Sequence, residues 1–298
     1  MEQNEFLAQV RAKATGWLAP GYDAETRHEV QRMLDNPDTT ELVEAFYKDL
    51  EFGTGGLRGI MGVGSNRMNR YTVGAATQGL ANYLKREFAS LPQIAVAIGH
   101  DCRNNSDVFA RITAEVFSAN GIKVYLFDAL RPTPEVSFAI RELGCQSGVM
   151  ITASHNPKEY NGYKAYWNDG AQMIAPHDRN TIIEVNKVTK VEDIHFDARP
   201  ELIELIGEDF DRKFIERVAS LSLPQKESIA RHHDLKIVYT PIHGAGVRII
   251  PATLRAIGFT NIINVPEQDV VSGNFPTVHS PNPEEPACWS PVPIWSAP

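Results

Sequence analysis

Three short, mainly apolar runs alternate with helical stretches, and this alternation constrains the fold more than any other feature. The runs cover residues 94–98, 124–127 and 147–151. The first of them is continuously apolar, as expected of a strand that is buried on both faces. The intervening stretches begin at Ser106, which can cap a helix, and at Pro134, which favours a first helical position. Strands that alternate with helices through short connections predict a parallel sheet with helices on its faces.

The same rhythm returns after about residue 205. An apolar helix face at residues 210–221 precedes a strand at 237–239, and a second helix at 247–257 precedes a strand at 261–265. The expected fold class is therefore α/β. We predict a mixed, mainly parallel sheet sandwiched by helices, in two consecutive similar α/β domains.

The chain divides into four predicted parts. Residues 1–50 carry two helical apolar stripes and form an N-terminal helical lead packed on the first domain. Residues 51–204 form the first α/β domain, and residues 205–286 form a second domain that is expected to be incomplete. Residues 287–298 combine several prolines with tryptophans and have no apolar periodicity, so we expect a tail that is not native to the fold.

Composition and charge exclude several classes of protein. The 298 residues include 29 Lys and Arg against 37 Asp and Glu, a formal net charge of −8. This acidic balance argues against nucleic-acid and membrane-surface partners, although a local basic pocket for a phosphorylated small molecule is compatible with it. No run approaches the roughly 20 apolar residues that span a bilayer. The acidic, polar N-terminus does not resemble a secretory signal.

Cysteine usage bears on the compartment. Cys102, Cys145 and Cys288 are odd in number, far apart and without a Cys-x-x-Cys pair. This pattern predicts a reduced, cytoplasmic chain with neither a disulfide framework nor a cysteine zinc site.

The most informative motif is Thr-Ala-Ser-His-Asn-Pro at residues 152–157, directly after the third predicted strand. Ligands of open parallel sheets bind beyond the carboxyl ends of the strands, and the proline constrains the turn, so the Ser154 hydroxyl is expected at the mouth of the sheet. A serine hydrolase would need glycines around its nucleophile, and none flanks Ser154. We expect His155 to point away from the neighbouring hydroxyl, which makes it a poor base. A phosphate-carrying serine is the better interpretation.

Such a serine needs a cation to offset the phosphate charge, a general acid or base, and a metal. Lys164, Arg58 in a glycine-dense loop, and Arg103 just past a strand end are the candidate cations. Each candidate has a plainer alternative. Ser154 could be a turn-capping serine, Lys164 a solvated surface lysine, and Arg58 a loop arginine held by a structural carboxylate. Arg103 and Asp101 could merely brace a turn.

Several motifs, taken in order, resemble those of the α-D-phosphohexomutase superfamily, which contains the phosphoglucomutases and phosphomannomutases. Residues 152–157 and 161–164 resemble its phosphoserine signature. A Gly-x-Arg-Gly element lies at residues 54–59 and a Gly-x-Asp-x-Arg turn at residues 99–103. Two second-domain motifs lie at residues 241–244 and 281–284. The resemblance covers about residues 40–286, and the N-terminal lead is similar to that of the bacterial phosphoglucomutase and phosphopentomutase-like branch.

The resemblance implies a phosphohexose mutase, an isomerase that acts by intramolecular phosphoryl transfer. Ser154 would carry a phosphoryl group and exchange it with a hexose monophosphate through a bisphosphate intermediate, with glucose as the expected sugar. Lys164 and Arg58 match residues implicated in proton transfer and charge stabilisation, and His155 matches a neighbouring catalytic position. A phosphomannomutase or phosphopentomutase is the alternative within the family. The implied partners are a sugar phosphate and a sugar bisphosphate.

The resemblance also implies binding residues and a metal. Arg58, Arg103, Asn156 and Lys164 would bind the substrate or its phosphate. Mg²⁺ would lie against the phosphate on Ser154.

One departure qualifies these expectations. The family binds magnesium mainly through an Asp-x-Asp-x-Asp-Arg loop, and this sequence contains no such loop. We therefore expect a frameshifted or truncated chain, and the alternative function is an inactive fragment that keeps the phosphoserine domain. A nucleotide-binding Rossmann protein is disfavoured because no Gly-x-Gly-x-x-Gly follows the first predicted strand.

Overall fold

The structure, a computed structural model, describes residues 2–53, 55–223 and 226–289. Thr54 and most of the predicted tail, residues 290–298, lie outside the described residues. The helices are α1 (Glu2–Gly16), α2 (Ala24–Asp35), α3 (Thr40–Phe46), α4 (Arg70–Glu87), α5 (Ser106–Ala119), α6 (Thr133–Glu142), α7 (His177–Val185), α8 (Glu208–Ser220), α9 (Lys226–Arg231) and α10 (Gly246–Ile257). The strands are β1 (Gly56–Ile60), β2 (Ala95–His100), β3 (Lys123–Phe127), β4 (Ser147–Ile151), β5 (Tyr160–Trp167), β6 (Ile203–Ile206), β7 (Ile237–Tyr239) and β8 (Ile262–Asn264).

The N-terminal helices α1 to α3 form a small core of their own against the start of α4. Trp17 is its centre, stacked on Tyr22 at 4.8 Å between ring centroids and edge-on to Phe46 at 5.5 Å. Asp23 caps α2 by accepting a hydrogen bond of 2.8 Å from the backbone N–H of Thr26. These helices therefore pack against Tyr71 of α4.

The central sheet has the strand order β1-β5-β4-β2-β3-β6. The strands β2, β3, β4 and β6 are parallel, whereas β5 runs antiparallel to both β4 and β1. Helices cover both faces: α4, α5 and α7 on one, α6 and α8 on the other. Along β4, Val149 and Ile151 point into the first layer and Met150 into the second. The mixed, mainly parallel α/β fold expected from the sequence is confirmed.

The three strands predicted from apolar runs correspond to β2, β3 and β4. Sequence reasoning missed β1, β5 and β6. These strands are polar or lie at the sheet edge, so they lack a continuous apolar run.

The second α/β unit contains α8, α9 and α10 with a parallel β7–β8 pair. α8 also contacts the first unit, because the Phe210 ring lies 5.8 Å from Phe127 and 5.5 Å from Phe138. Residues 287–289, the start of the predicted tail, lie in a short 3₁₀-helix, Pro286–Trp289. The Cys288 side chain in that helix is fully buried.

Within the residues that the structure describes, no helix combines the length and apolarity needed to cross a bilayer.

Candidate active site

The site lies at the carboxyl edge of the central sheet, where strand order reverses. From β2 the chain moves to β3 on one side, and it later returns to β4 on the other side of β2. The crevice above β2 and β4 is therefore a topological switch point, the usual ligand position in such sheets. The turn that follows β2 and the loop that follows β4 meet there, and they contain Asp101 and Ser154 respectively.

The Asp101 carboxylate joins these two segments. Its Oδ2 accepts a hydrogen bond of 2.6 Å from the Thr152 hydroxyl. Its Oδ1 accepts from the Ser106 hydroxyl at 2.8 Å and from the backbone N–H of Arg103 at 2.9 Å. The Thr152 hydroxyl in turn accepts the Ser154 N–H at 3.0 Å. The β2 turn thereby fixes the backbone at Ser154.

Ser106 differs from its predicted role as a helix cap. Asn105, with φ +60°, is the residue before α5, and Ser106 is the first residue of the helix. Its hydroxyl faces inward because Asp101 accepts from it and because the Asn161 side-chain amide donates to it at 2.9 Å. Sequence reasoning missed Thr152 and Asn161, although both stand inside the quoted motifs as polar residues next to a buried strand.

Ser154 is exposed and has a left-handed backbone, with φ +57°. A residue other than glycine in this region costs about 1–3 kcal/mol and persists only where surrounding contacts hold it. The Thr152 and Asp101 hydrogen bonds supply such contacts. The hydroxyl is thus held at the mouth of the sheet, as expected for a group that meets a ligand.

The position of His155 corrects an expectation. The His155 Nδ1 lies 3.3 Å from the Ser154 hydroxyl oxygen rather than pointing away from it. Adjacent side chains take opposite sides only in extended chain, and the left-handed backbone at Ser154 is not extended. His155 can therefore share a hydrogen bond with the serine.

Arg103 lies beneath the serine loop rather than beside the hydroxyl. Its side chain is fully buried and donates to the carbonyl oxygens of Ser154 (2.9 Å), Pro157 (2.9 Å) and Tyr160 (3.0 Å), and also to that of Asn156. Burial lowers the pKa of Arg103, and the Asp101 charge opposes this shift. The geometry thus favours the alternative of a bracing arginine over the phosphate-binding role implied by the resemblance, because its Nη1 and Nη2 groups already donate to carbonyls.

Arg58 and Lys164 are neighbours on adjacent strands. In the antiparallel β1–β5 pair Arg58 lies opposite Gly162 and Lys164 opposite Gly56, so both side chains share one face of the sheet. The exposed Arg58 donates from Nη1 to the Asn156 side-chain oxygen at 3.2 Å, which places its guanidinium at the serine loop. The Asn156 amide oxygen is thereby engaged by Arg58.

Lys164 is half-buried. Burial, followed by the positive charge of Arg58, lowers the pKa of its ammonium group, and Asp101 opposes this shift. A lysine with a lowered pKa exchanges protons more readily near neutral pH, which suits a general acid or base.

Arg58, Lys164 and Lys48 line a cavity of about 380 Å³ together with the glycine-dense loop before β1. Gly55 in this loop and Gly56 at the start of β1 have φ values of +73° and +155°. A Cβ atom at Gly56 would lie 1.9 Å from the Tyr163 carbonyl oxygen, so no larger residue fits there. The glycines allow close approach of β1 to β5, which brings Arg58 and Lys164 to one space that Lys48 also lines.

The described residues do not fit a magnesium site by themselves. Among residues 2–53, 55–223 and 226–289, no group of three His, Cys, Asp or Glu side chains is placed to hold a metal ion. Both oxygens of Asp101, the carboxylate joined to the serine loop, are already occupied by hydrogen bonds. Magnesium prefers several free oxygen ligands, and those are not supplied here.

Two family models match the chain. One describes "Phosphoglucomutase/phosphomannomutase, alpha/beta/alpha domain I" and matches residues 49–192. The other describes domain II of the same proteins and matches residues 212–292. The two matches follow the order of the two α/β units.

Curated relatives carry several sugar-phosphate mutase names. The chain is 41% identical over 281 residues to a Schizosaccharomyces pombe protein named "Probable phosphoribomutase". It is 40% identical over 266 residues to a phosphoglucomutase of Staphylococcus haemolyticus, and 35% identical over 289 residues to the human phosphopentomutase. These alignments cover 86–93% of this chain and 46–47% of the relatives, so the chain spans about half the length of the curated relatives it matches.

A solved structure shows the same fold and leads to the same family. The crystal structure of a Thermus thermophilus protein described as a phosphomannomutase superposes with a TM-score of 0.65 at 26% identity, over 82% of this chain and 51% of that one. With both family models matched in order and relatives of 35–41% identity, the chain belongs to the α-D-phosphohexomutase superfamily and contains its first two α/β domains.

Proposed function

We propose that this chain carries the phosphoserine of a sugar-phosphate mutase, with Ser154 as the phosphoryl carrier. One observation supports this most: an exposed serine hydroxyl on a left-handed backbone, fixed by Asp101, Thr152 and Arg103 at the switch point of the sheet. An ordinary turn serine does not need such an arrangement. The flanking Arg58 and Lys164 provide positive charge in a chain whose net charge is −8.

The proposed reaction runs in two transfers. In the first, a sugar hydroxyl oxygen attacks the phosphorus on Ser154, the bond from phosphorus to the Ser154 oxygen breaks, and the hydroxyl proton passes to a base. The product is a sugar bisphosphate. In the second, the Ser154 oxygen attacks the other phosphorus of that bisphosphate, the bond from this phosphorus to the sugar oxygen breaks, and the base returns its proton to that sugar oxygen. The isomeric monophosphate is left. The net reaction interconverts a sugar 1-phosphate and the isomeric sugar that carries its phosphate on the terminal carbon.

Two side chains have proposed roles in these steps. Lys164 accepts and returns the hydroxyl proton, because burial and Arg58 lower the pKa of its amine. Arg58 stabilises the spread negative charge of the transferring phosphoryl group, since it is exposed and reaches the serine loop. His155, 3.3 Å from the Ser154 oxygen, can hydrogen-bond to the hydroxyl or to the phosphate that replaces its proton.

Glucose phosphates are the first proposed substrates, as the sequence motifs imply. Pentose phosphates are the second candidate, because relatives named phosphoribomutase and phosphopentomutase match at 41% and 35% identity. Mannose phosphates are a third, from the matched family description. We propose a reducing cytoplasmic setting, which the free thiols of Cys102, Cys145 and Cys288 support.

Bisphosphate labelling tests the proposal without requiring complete turnover. Purified protein is incubated with glucose 1,6-bisphosphate, with and without magnesium, and the phosphorylated residue is located by peptide mass mapping. We expect phosphate on Ser154, none after Ser154→Ala, and full labelling after Ser220→Ala, which removes an exposed hydroxyl on α8 far along the chain. Phosphate on another residue would exclude Ser154 as the carrier.

A coupled assay then separates the sugar classes and the inactive-fragment alternative. The 298-residue chain is assayed with glucose, mannose and ribose 1-phosphates, a bisphosphate activator and magnesium. Turnover with one sugar identifies the substrate class. Labelling of Ser154 without turnover of any sugar identifies a chain that carries phosphate but does not complete the cycle.

A further inference from the structure

One loop of the second α/β unit contacts the turn that braces the serine loop. This loop, residues 270–277, contacts Arg103 and Asn104 of the first unit. The Phe275 ring centroid lies 5.4 Å from the Arg103 guanidinium carbon, and the Asn104 side-chain amide donates to the Asn274 side-chain oxygen at 3.0 Å. Gly273 packs so closely that a Cβ atom there would lie 2.4 Å from the Asn104 nitrogen. The two units are thus in direct contact beside the candidate site.

A buried histidine fixes both ends of the 270–277 loop. The His243 Nδ1 lies 2.7 Å from the Val270 carbonyl oxygen, and its Nε2 lies 2.8 Å from the Thr277 hydroxyl oxygen. Because a carbonyl only accepts, Nδ1 carries the proton, and in the neutral ring Nε2 accepts from Thr277. The Ser272 N–H also donates to the His243 carbonyl at 3.3 Å. The loop is therefore anchored inside its own domain.

The backbone around His243 is held in an unusual conformation. Ile242, His243 and Phe275 have φ values of +47°, +62° and +49°, and all three are buried. Left-handed residues other than glycine persist only where the surroundings determine them. The Pro-Ile-His-Gly motif at residues 241–244 thus has a structural consequence: it presents the 270–277 loop to the first unit in one geometry.

Arg103 transmits this contact to Ser154. Its guanidinium donates to four backbone carbonyls of residues 154–160, and Phe275 lies over the guanidinium. The Arg103 Nε is buried with no hydrogen-bond partner among the described residues, 3.6 Å from the Asp101 carboxylate. The guanidinium is therefore located by its carbonyl acceptors, by Asp101 and by the aromatic face of Phe275.

We propose that the 270–277 loop is a positioning element for Ser154, with Phe275 acting through Arg103. The second domain then contributes to the geometry of the serine loop without touching the reacting atoms. The part of this inference that concerns phosphoryl transfer rests on the proposed function. The part that concerns the order of the serine loop does not.

Hydrogen exchange of the full chain tests the structural part. The readout is the exchange rate of the Ser154, Asn156 and Tyr160 amides, which donate inside the loop. Phe275→Leu removes the aromatic face and is expected to speed their exchange about tenfold. Phe275→Tyr keeps the aromatic face and should keep the slow exchange rate of the unmodified protein. Thr277→Val removes the hydroxyl that contacts His243 Nε2 and should speed exchange, as Phe275→Leu does.

Phe214→Leu is the matched control, because Phe214 is also a buried ring of the second unit that packs on the first, 5.5 Å from Phe138, but does not contact Arg103. Global stability is measured by urea unfolding for each variant. Equal loop exchange in Phe275→Leu and Phe214→Leu, or equal exchange in Phe275→Leu and Phe275→Tyr, would overturn the proposal.

Labelling kinetics test the part that depends on the proposed function. Phe275→Leu should lower the saturating rate of Ser154 phosphorylation by glucose 1,6-bisphosphate about tenfold and leave the half-saturating concentration unchanged, since Phe275 does not touch the ligand site. A raised half-saturating concentration with an unchanged rate would contradict positioning. If the unmodified protein is not labelled, the proposed function fails, and the exchange rates still decide whether the loop positions Ser154.

Discussion

Glu135 on α6 carries the clearest stability prediction. Its side chain is fully buried, and neither carboxyl oxygen has a hydrogen-bond partner among the described residues. The adjacent Arg131 is fully engaged elsewhere: its Nε and Nη2 donate to the two Asp211 oxygens at 2.6 and 2.9 Å, and Nη2 also donates to Asp128 at 3.1 Å. Burial, and after it the Asp211 carboxylate, raises the pKa of Glu135 to about 8, and Arg131 opposes this. We therefore predict that Glu135 holds its proton to a higher pH than an ordinary carboxyl group does.

The sign and size of the effect follow from linkage. A carboxyl group of ordinary pKa 4.5 that titrates near 8 in the folded protein binds more protons when folded than when unfolded. The free energy of unfolding therefore falls as pH rises between these values, by about 1.4 kcal/mol for each pH unit. Glu135→Gln mimics the neutral carboxyl and removes this dependence. Its stability advantage over the unmodified protein should grow by roughly 3–4 kcal/mol from about pH 5 to about pH 8.

Urea unfolding at a series of pH values measures this difference. Glu142→Gln is the matched control, because Glu142 lies on the same helix and is exposed, so its removal should leave the pH dependence of unfolding unchanged. Parallel stability curves for the unmodified protein and Glu135→Gln across this range would refute a protonated, buried Glu135. Those curves would mean that Arg131 offsets the charge of an ionised Glu135.

Further predictions concern the serine loop and its neighbours. Ser154→Gly relieves the left-handed backbone at φ +57° and should raise the free energy of unfolding by about 1 kcal/mol. The same substitution should abolish bisphosphate labelling. A loss of stability would show that the loop is not strained. Lys164→Met removes the proposed proton acceptor. It should slow phosphoryl transfer from phosphorylated Ser154 to a sugar monophosphate by about 10²–10⁴-fold, as measured by single-turnover quench-flow. A rate within a factor of about three of that of the unmodified protein would exclude that role. Gly162→Ala would place a Cβ atom 2.6 Å from the Thr152 carbonyl oxygen and should lower the free energy of unfolding by about 1–3 kcal/mol. Gly16→Ala, where a Cβ atom meets nothing within 4 Å, is its control and should cause no loss.

The sequence predicted those parts of the fold that depend on local pattern. The buried strands β2, β3 and β4 were visible because a strand covered on both faces must be apolar along its length. The strands β1 and β5 were not, because their polar residues are tolerated only by pairing with each other at one side of the sheet. Such pairing joins residues about 100 positions apart and leaves no local signal.

The candidate site was predictable in its membership and less so in its geometry. Ser154, Arg58 and Lys164 were expected from the motifs, and β1–β5 pairing brings the two cations side by side. The orientation of His155 depends on the left-handed backbone at Ser154, which no residue preference indicates for serine. Its cause is the Asp101–Thr152–Ser154 hydrogen-bond chain, which joins the segments that follow β2 and β4.

The two arginines of the site show why motif membership does not assign a role. Arg58 and Arg103 both stand in motifs that resemble those of the family, and both lie near the serine loop. Arg103 is buried and contacts the loop through backbone carbonyls, so its charge is balanced by fixed dipoles and by Asp101. Arg58 is exposed and donates to the Asn156 side chain at 3.2 Å, a hydrogen bond that a phosphate can replace at little cost. Burial therefore separates an arginine that shapes the serine loop from an exposed one, and in the proposed function only the exposed Arg58 responds directly to phosphate on Ser154.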